Sequence, residues 1–68
     1  MKIMIIRTTI KFHEDDLTLA GCGFKVGDVV DTCGEFKDGS VCVNAIRHGD
    51  GISPGDTVSV NDCEFVEL

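Results

Sequence analysis

Residues 2–12 read Lys2-Ile3-Met4-Ile5-Ile6-Arg7-Thr8-Thr9-Ile10-Lys11-Phe12. Alternate positions place Met4, Ile6, Thr8, Ile10 and Phe12 on one side and Ile3, Ile5, Arg7, Thr9 and Lys11 on the other, the period of two that a strand imposes. β-Branched side chains, which pack well on a pleated surface, are abundant here. The stretch therefore predicts a first strand running from Lys2 to Phe12. Over Ile3 to Ile6 both faces are apolar, so this end must be covered twice, inside a barrel or by a second copy of the chain, and a homodimer through the Ile3-Ile6 strand is one expectation.

Working outward, His13-Glu14-Asp15-Asp16 is polar, and Leu17 to Gly23 is too short and glycine-broken for a helix. The two together predict a long loop. Phe24-Lys25-Val26-Gly27-Asp28 opens a second strand over Val29 to Cys33, and Asp38-Gly39 signals a hairpin turn into a third over Ser40 to Arg47. In that third strand Val41, Val43 and Ala45 alternate with Cys42, Asn44 and Ile46. His48-Gly49-Asp50-Gly51 is a turn cluster, and Ser53-Pro54-Gly55-Asp56 suits a type II turn, with Pro presetting φ and Gly accepting the positive φ that follows. A fourth strand is expected over Thr57 to Asn61 with Val58 and Val60 inward, then one irregular or 3₁₀ turn at Asn61-Asp62-Cys63, then a closing strand from Glu64 to Leu68. Gly-Asp-x-Val occurs twice, at 27–30 and 55–58, and is expected to be one turn device used twice, with each Asp accepting hydrogen bonds from turn amides and each Val entering the core.

A chain of 68 residues is one domain, spanning 1–68. Ordering costs roughly 1.5 kcal/mol per residue, which leaves so small a core only a thin surplus. Five short strands cannot make a seven-stranded sandwich, but they can curl into a small barrel that hides most edges. The expected fold is all-β: a long loop after strand one, hairpins between strands two, three and four, and one turn before strand five give a five-stranded SH3-like, partly open barrel. An OB-fold would want a helix where only Gly49 to Gly55 is available, and a ubiquitin-like fold would want one near residues 20–32, where glycines and Val29-Val30 oppose it.

Phe24-Lys25-Val26-Gly27-Asp28-Val29-Val30, the hairpin, and the terminal Asn61-Asp62-Cys63-Glu64-Phe65-Val66-Glu67 resemble the small SH3-like, KOW-related accessory proteins of bacteriophages and prophages. The resemblance covers most of the chain in pattern through short motifs. It implies a fold more than an activity, since that barrel hosts unrelated functions. The tail lacks the basic residues of nucleic-acid-binding KOW domains.

Charge is divided along the chain. Lys2, Arg7 and Lys11 stand without an acid in residues 1–13, whereas all twelve acids follow, against Lys25, Lys37 and Arg47, and the whole chain carries −6. Such a surface repels phosphate, so direct nucleic-acid binding is disfavoured and a host protein with a basic surface is the favoured partner. The candidate contacts are Glu14, Asp15 and Asp16 on the long loop and Asp50, Asp62, Glu64 and Glu67 toward the end. No run of 18 apolar residues and no signal-peptide pattern is present, which predicts a cytoplasmic protein without a membrane span, in the host cytoplasm if phage-encoded.

Cys22, Cys33, Cys42 and Cys63 lack the close paired spacing of zinc sites, so no metal is expected and the thiols are read as small buried hydrophobes. Neither a nucleophile elbow, a phosphate-binding glycine loop nor a paired-histidine motif occurs, and His13 and His48 lie in turn regions. The reading is a binding module, not an enzyme, with no cofactor. Its expected role is to modulate a host protein through the acidic face. The alternatives are a nucleic-acid mimic that inhibits a DNA- or RNA-handling enzyme, and a self-associating virion component.

Overall fold

The computed structural model describes residues 1–12, 14 and 16–68. Five strands, β1 (Lys2–Ile5), β2 (Val29–Glu35), β3 (Val41–Asn44), β4 (Thr57–Val60) and β5 (Phe65–Glu67), form one antiparallel sheet in the order β4-β3-β2-β1-β5. A 3₁₀ turn, Asp62–Glu64, links β4 to β5. The sheet curls on itself into the SH3-like, partly open barrel, and no α-helix occurs among the described residues.

Alternation explains the core. Ile3 and Ile5 of β1, Val30 of β2, Val41 and Val43 of β3, and Val58 and Val60 of β4 point inward, and Leu19, Cys22 and Phe24 of the β1–β2 loop pack with them. The inward valines of β3 and β4 are those that the period of two selected.

β1 is shorter than residues 2–12 predict, and the reason is local. The amides of Ile6 and Arg7 both donate to the Glu64 carbonyl, at 2.9 and 3.4 Å. Two successive amides on one acceptor insert an extra residue, so the core-facing parity changes from Ile3 and Ile5 to Thr8. Met4, Ile6, Thr8, Ile10 and Phe12 therefore do not share one face. β2 is longer than expected, reaching Glu35, with a bulge between Thr32 and Gly34. β3 stops at Asn44, although Ala45 still exchanges hydrogen bonds with the turn before β4 (Ala45 N to Asp56 O, 2.7 Å; Gly55 N to Ala45 O, 2.9 Å), and Gly49 and Ile52 form a separate bridge beyond it.

The Ile3-Ile6 segment has no free edge for a second copy. Ile3 pairs with Val30 on one side and Glu67 on the other, and Ile3 and Ile5 are fully buried within the single chain. β1 therefore lies inside the sheet and leaves no unpaired edge to which a further strand could add.

The two Gly-Asp turns are the same device, as expected. Lys25 N donates to Asp28 Oδ2 at 2.8 Å while Asp28 N donates to Lys25 O at 3.0 Å. Ser53 N donates to Asp56 Oδ2 at 2.9 Å while Asp56 N donates to Ser53 O at 3.0 Å. Gly27 and Gly55 both take positive φ, 96° and 98°, which L side chains adopt only at a cost. Val30 and Val58 then enter the core.

Candidate functional site

The β1–β2 loop is held as a compact wall. Ala20 N donates to Thr8 O at 3.0 Å, Phe24 N to Leu19 O at 2.9 Å, and Asp50 N to Gly21 O at 2.7 Å. Between this wall, β4 and the 3₁₀ turn lies a groove of about 240 Å³. Ile10, Phe12, Asp16 and Leu17 form one side, Ser59 and Asn61 the other, and Leu19, Cys22, Val58 and Glu64 the floor. Phe12 and Leu17 are 46% and 50% exposed, so two large apolar side chains stand half in water at its rim. Beside them Asp16 supplies an exposed carboxylate.

Glu64 does not belong with the surface acids. It is 2% exposed, and its Oε1 accepts from Asn61 N at 3.1 Å and Asn61 Nδ2 at 3.4 Å. A side chain that closes the 3₁₀ turn from inside cannot be offered to a partner's basic surface, so its place among the expected contacts is corrected to a structural one. Its charge also helps burial raise the Cys22 thiol above its ordinary pKa, with burial the larger cause.

The other expected contacts are spread around the barrel. Glu14 and Asp16 are exposed on the β1–β2 loop, Asp62 on the 3₁₀ turn, Asp50 in the β3–β4 connection and Glu67 on β5. Asp15 and His13 lie outside the described residues. Of these acids Asp16 lines the groove, whereas Asp62 Oδ2 lies 3.5 Å from where a Cβ on Gly39 would sit, against the β2–β3 turn. Asp50 and Glu67 stand on other elements, so the structure does not bring all the acids together. Alternation along the chain shows which residues leave the core, but not which loops meet; that is why Phe12, Leu17, Ser59 and Asn61 were missed as groove residues.

Two of the six basic side chains serve the fold. Arg7 Nη1 donates to Cys63 O at 2.8 Å, tying the start of the loop to the 3₁₀ turn. Arg47 pairs with Asp28. Nine exposed acids therefore face solvent with little local neutralisation among the described residues.

A second surface feature follows from the register. Met4 lies between Val29 on β2 and Val66 on β5, with Val29 49% exposed, giving an apolar strip on the outer face of the sheet. Among the described residues no three His, Cys, Asp or Glu side chains gather as a metal site would require, and no helix is long and apolar enough to cross a membrane. The thiols differ from the expectation of buried hydrophobes: Cys22 is buried, but Cys33 is exposed, and Cys42 and Cys63 are half-buried. No family model, curated protein or solved structure matches the chain.

Proposed function

We propose that the chain is a small acidic protein-binding module that engages a host protein with a basic surface and modulates it in the host cytoplasm, the accessory role implied by its resemblance to phage and prophage SH3-like proteins. The groove is the observation that carries this reading. Half-exposed Phe12 and Leu17 lie beside Asp16, a pairing of apolar anchors with a carboxylate suited to a segment that is both basic and apolar. The apolar contacts would supply most of the affinity, and the Asp16 carboxylate, with the surrounding negative surface, would supply orientation and a faster encounter.

The test uses the wild-type chain, an Asp16→Lys variant and a Phe12→Ser/Leu17→Ser variant as baits. A protein retained by the wild type is purified and titrated against all three by calorimetry at about 50 and 200 mM salt, where screening weakens charge-led contacts. The expected result is loss of affinity in both variants, with salt dependence reduced in the first. Equal Kd values for the three baits would remove the groove from the reading. Displacement of the partner's own DNA or RNA by the wild type would instead favour the mimic.

A further inference from the structure

Cys33 and Cys42 stand on the outer face of neighbouring strands with their sulfurs 2.8 Å apart. The register explains the approach. Thr32 pairs with Val43 and Gly34 with Cys42, so the bulge sets Cys33 and Gly34 together against Cys42. A Cβ built on Gly34 would lie 3.7 Å from the Cys42 Cβ, which confirms how closely the bulged strand approaches Cys42. Residues opposed across antiparallel strands hold their Cα atoms about 4.5–5.5 Å apart, within the span of a disulfide. Cys33 is exposed and reachable by a small reagent, while Cys42 is half-buried behind it. Among the described residues neither Cys22 nor Cys63 makes a sulfur–sulfur contact.

We propose that Cys33 and Cys42 form a two-electron redox site, a cross-strand dithiol that closes to a disulfide by exchange with a small-molecule disulfide. The Cys33 thiolate attacks one sulfur of the reagent, whose S–S bond breaks and releases one thiolate. The Cys42 thiolate then attacks the Cys33 sulfur, forming the Cys33–Cys42 bond and expelling the second. The two protein thiols lose two electrons, the reagent gains them, and the two thiol protons pass to the two released thiols. The order follows from exposure, and it is supported by the Cys42 thiol being raised by its hydrogen bond with Cys33, then by burial and by the Cys33 charge. Asp31 and Glu35 are exposed on β2 at the positions two before and two after Cys33. Their charge favours a cationic disulfide over an anionic one. Closure staples the hairpin whose 36–40 turn rests against Asp62 of the 3₁₀ turn.

The test incubates the reduced, folded chain with cystamine, a cationic disulfide, quenches in acid, and alkylates under denaturing conditions before peptide mass mapping. The expected product is a single linked pair, Cys33–Cys42, with Cys22 and Cys63 alkylated, a mass about 2 Da lower before alkylation, and reversal by dithiothreitol. In 6 M guanidinium the same reaction should scramble over several pairings, showing that the fold and not sequence spacing selects the pair. Cys42→Ser should stop at a stable cysteamine adduct on Cys33. A wild-type chain that also stops at that adduct, or that links Cys22 or Cys63 while folded, would overturn the proposal.

Discussion

Arg47 grips Asp28 with both ends of its guanidinium, Nη1 2.6 Å from Oδ2 and Nη2 3.2 Å from Oδ1, and the same Nη1 donates to Gly23 O at 2.7 Å. The pair joins the residue entering β2 to the chain leaving β3, and pins the base of the β1–β2 loop that walls the groove. Its reach across the sequence makes it a tertiary clamp.

The clamp has a pH signature. The Arg47 hydrogen bond holds the Asp28 carboxyl below its ordinary pKa, assisted by the Lys25 amide, while burial opposes both. A carboxylate lowered in the folded state contributes stability that is fully present above the unfolded value, about 3.9, and is lost as pH falls through the lower folded value. Asp28→Asn should therefore lower the urea midpoint at pH 7 and flatten its decline below about pH 4. Asp38, also lowered, by hydrogen bonds from Ser40, remains in the variant, so some acid dependence persists. Parallel acid arms for variant and wild type would contradict the clamp.

Glu64 separates a structural carboxylate from a recognition carboxylate. Glu64→Ala leaves the Asn61 amide without its acceptor in a buried turn, at a cost of about 1–3 kcal/mol in urea unfolding. Glu64→Gln keeps an acceptor oxygen and should lose less. If the alanine variant unfolded at the wild-type midpoint, the carboxylate would have no structural role.

Two glycines should fail for different reasons. A Cβ on Gly49 would sit 2.6 Å from the Cys22 carbonyl carbon and closer still to Gly21 O, so the backbone of the β1–β2 loop would have to move. Gly49→Ala is expected to cost about 3 kcal/mol, as forced overpacking does. Gly55 has open space but a φ of 98°, so Gly55→Ala should cost only about 1–2 kcal/mol. Thermal unfolding of the two variants gives the ranking, and the reverse order would mean that the loop is not seated on Gly49.

Adjacent valines test the register of β2. Val30→Ala should lose about 2 kcal/mol, because Val30 is in the core and the loss combines transfer and cavity terms. Val29→Thr, on the half-exposed outer strip, should stay within about 0.5 kcal/mol of wild type. Equal losses on urea unfolding would point to a cover over the outer strip.

Alternation in Val41-Cys42-Val43 and Thr57-Val58-Ser59-Val60 was legible because a pleated strand has only two faces, and a buried valine at every second position leaves one register. The paired Gly-Asp turns were legible because their hydrogen bonds close within four residues. The end of β1 was not. It depends on Glu64, far along the chain, lending one carbonyl to both Ile6 and Arg7.

Local chemistry, the strand period and the turn residues, settled by itself that this chain is a small five-stranded barrel with excess negative charge. Only the tertiary structure decided that Glu64 is turned inward, that Phe12 and Leu17 share a groove with Ser59 and Asn61, and that Cys33 meets Cys42 across a bulge. Those pairings are set by how the sheet curls and where its loops land, and curl is the sum of many small backbone rotations that no short stretch of residues encodes alone.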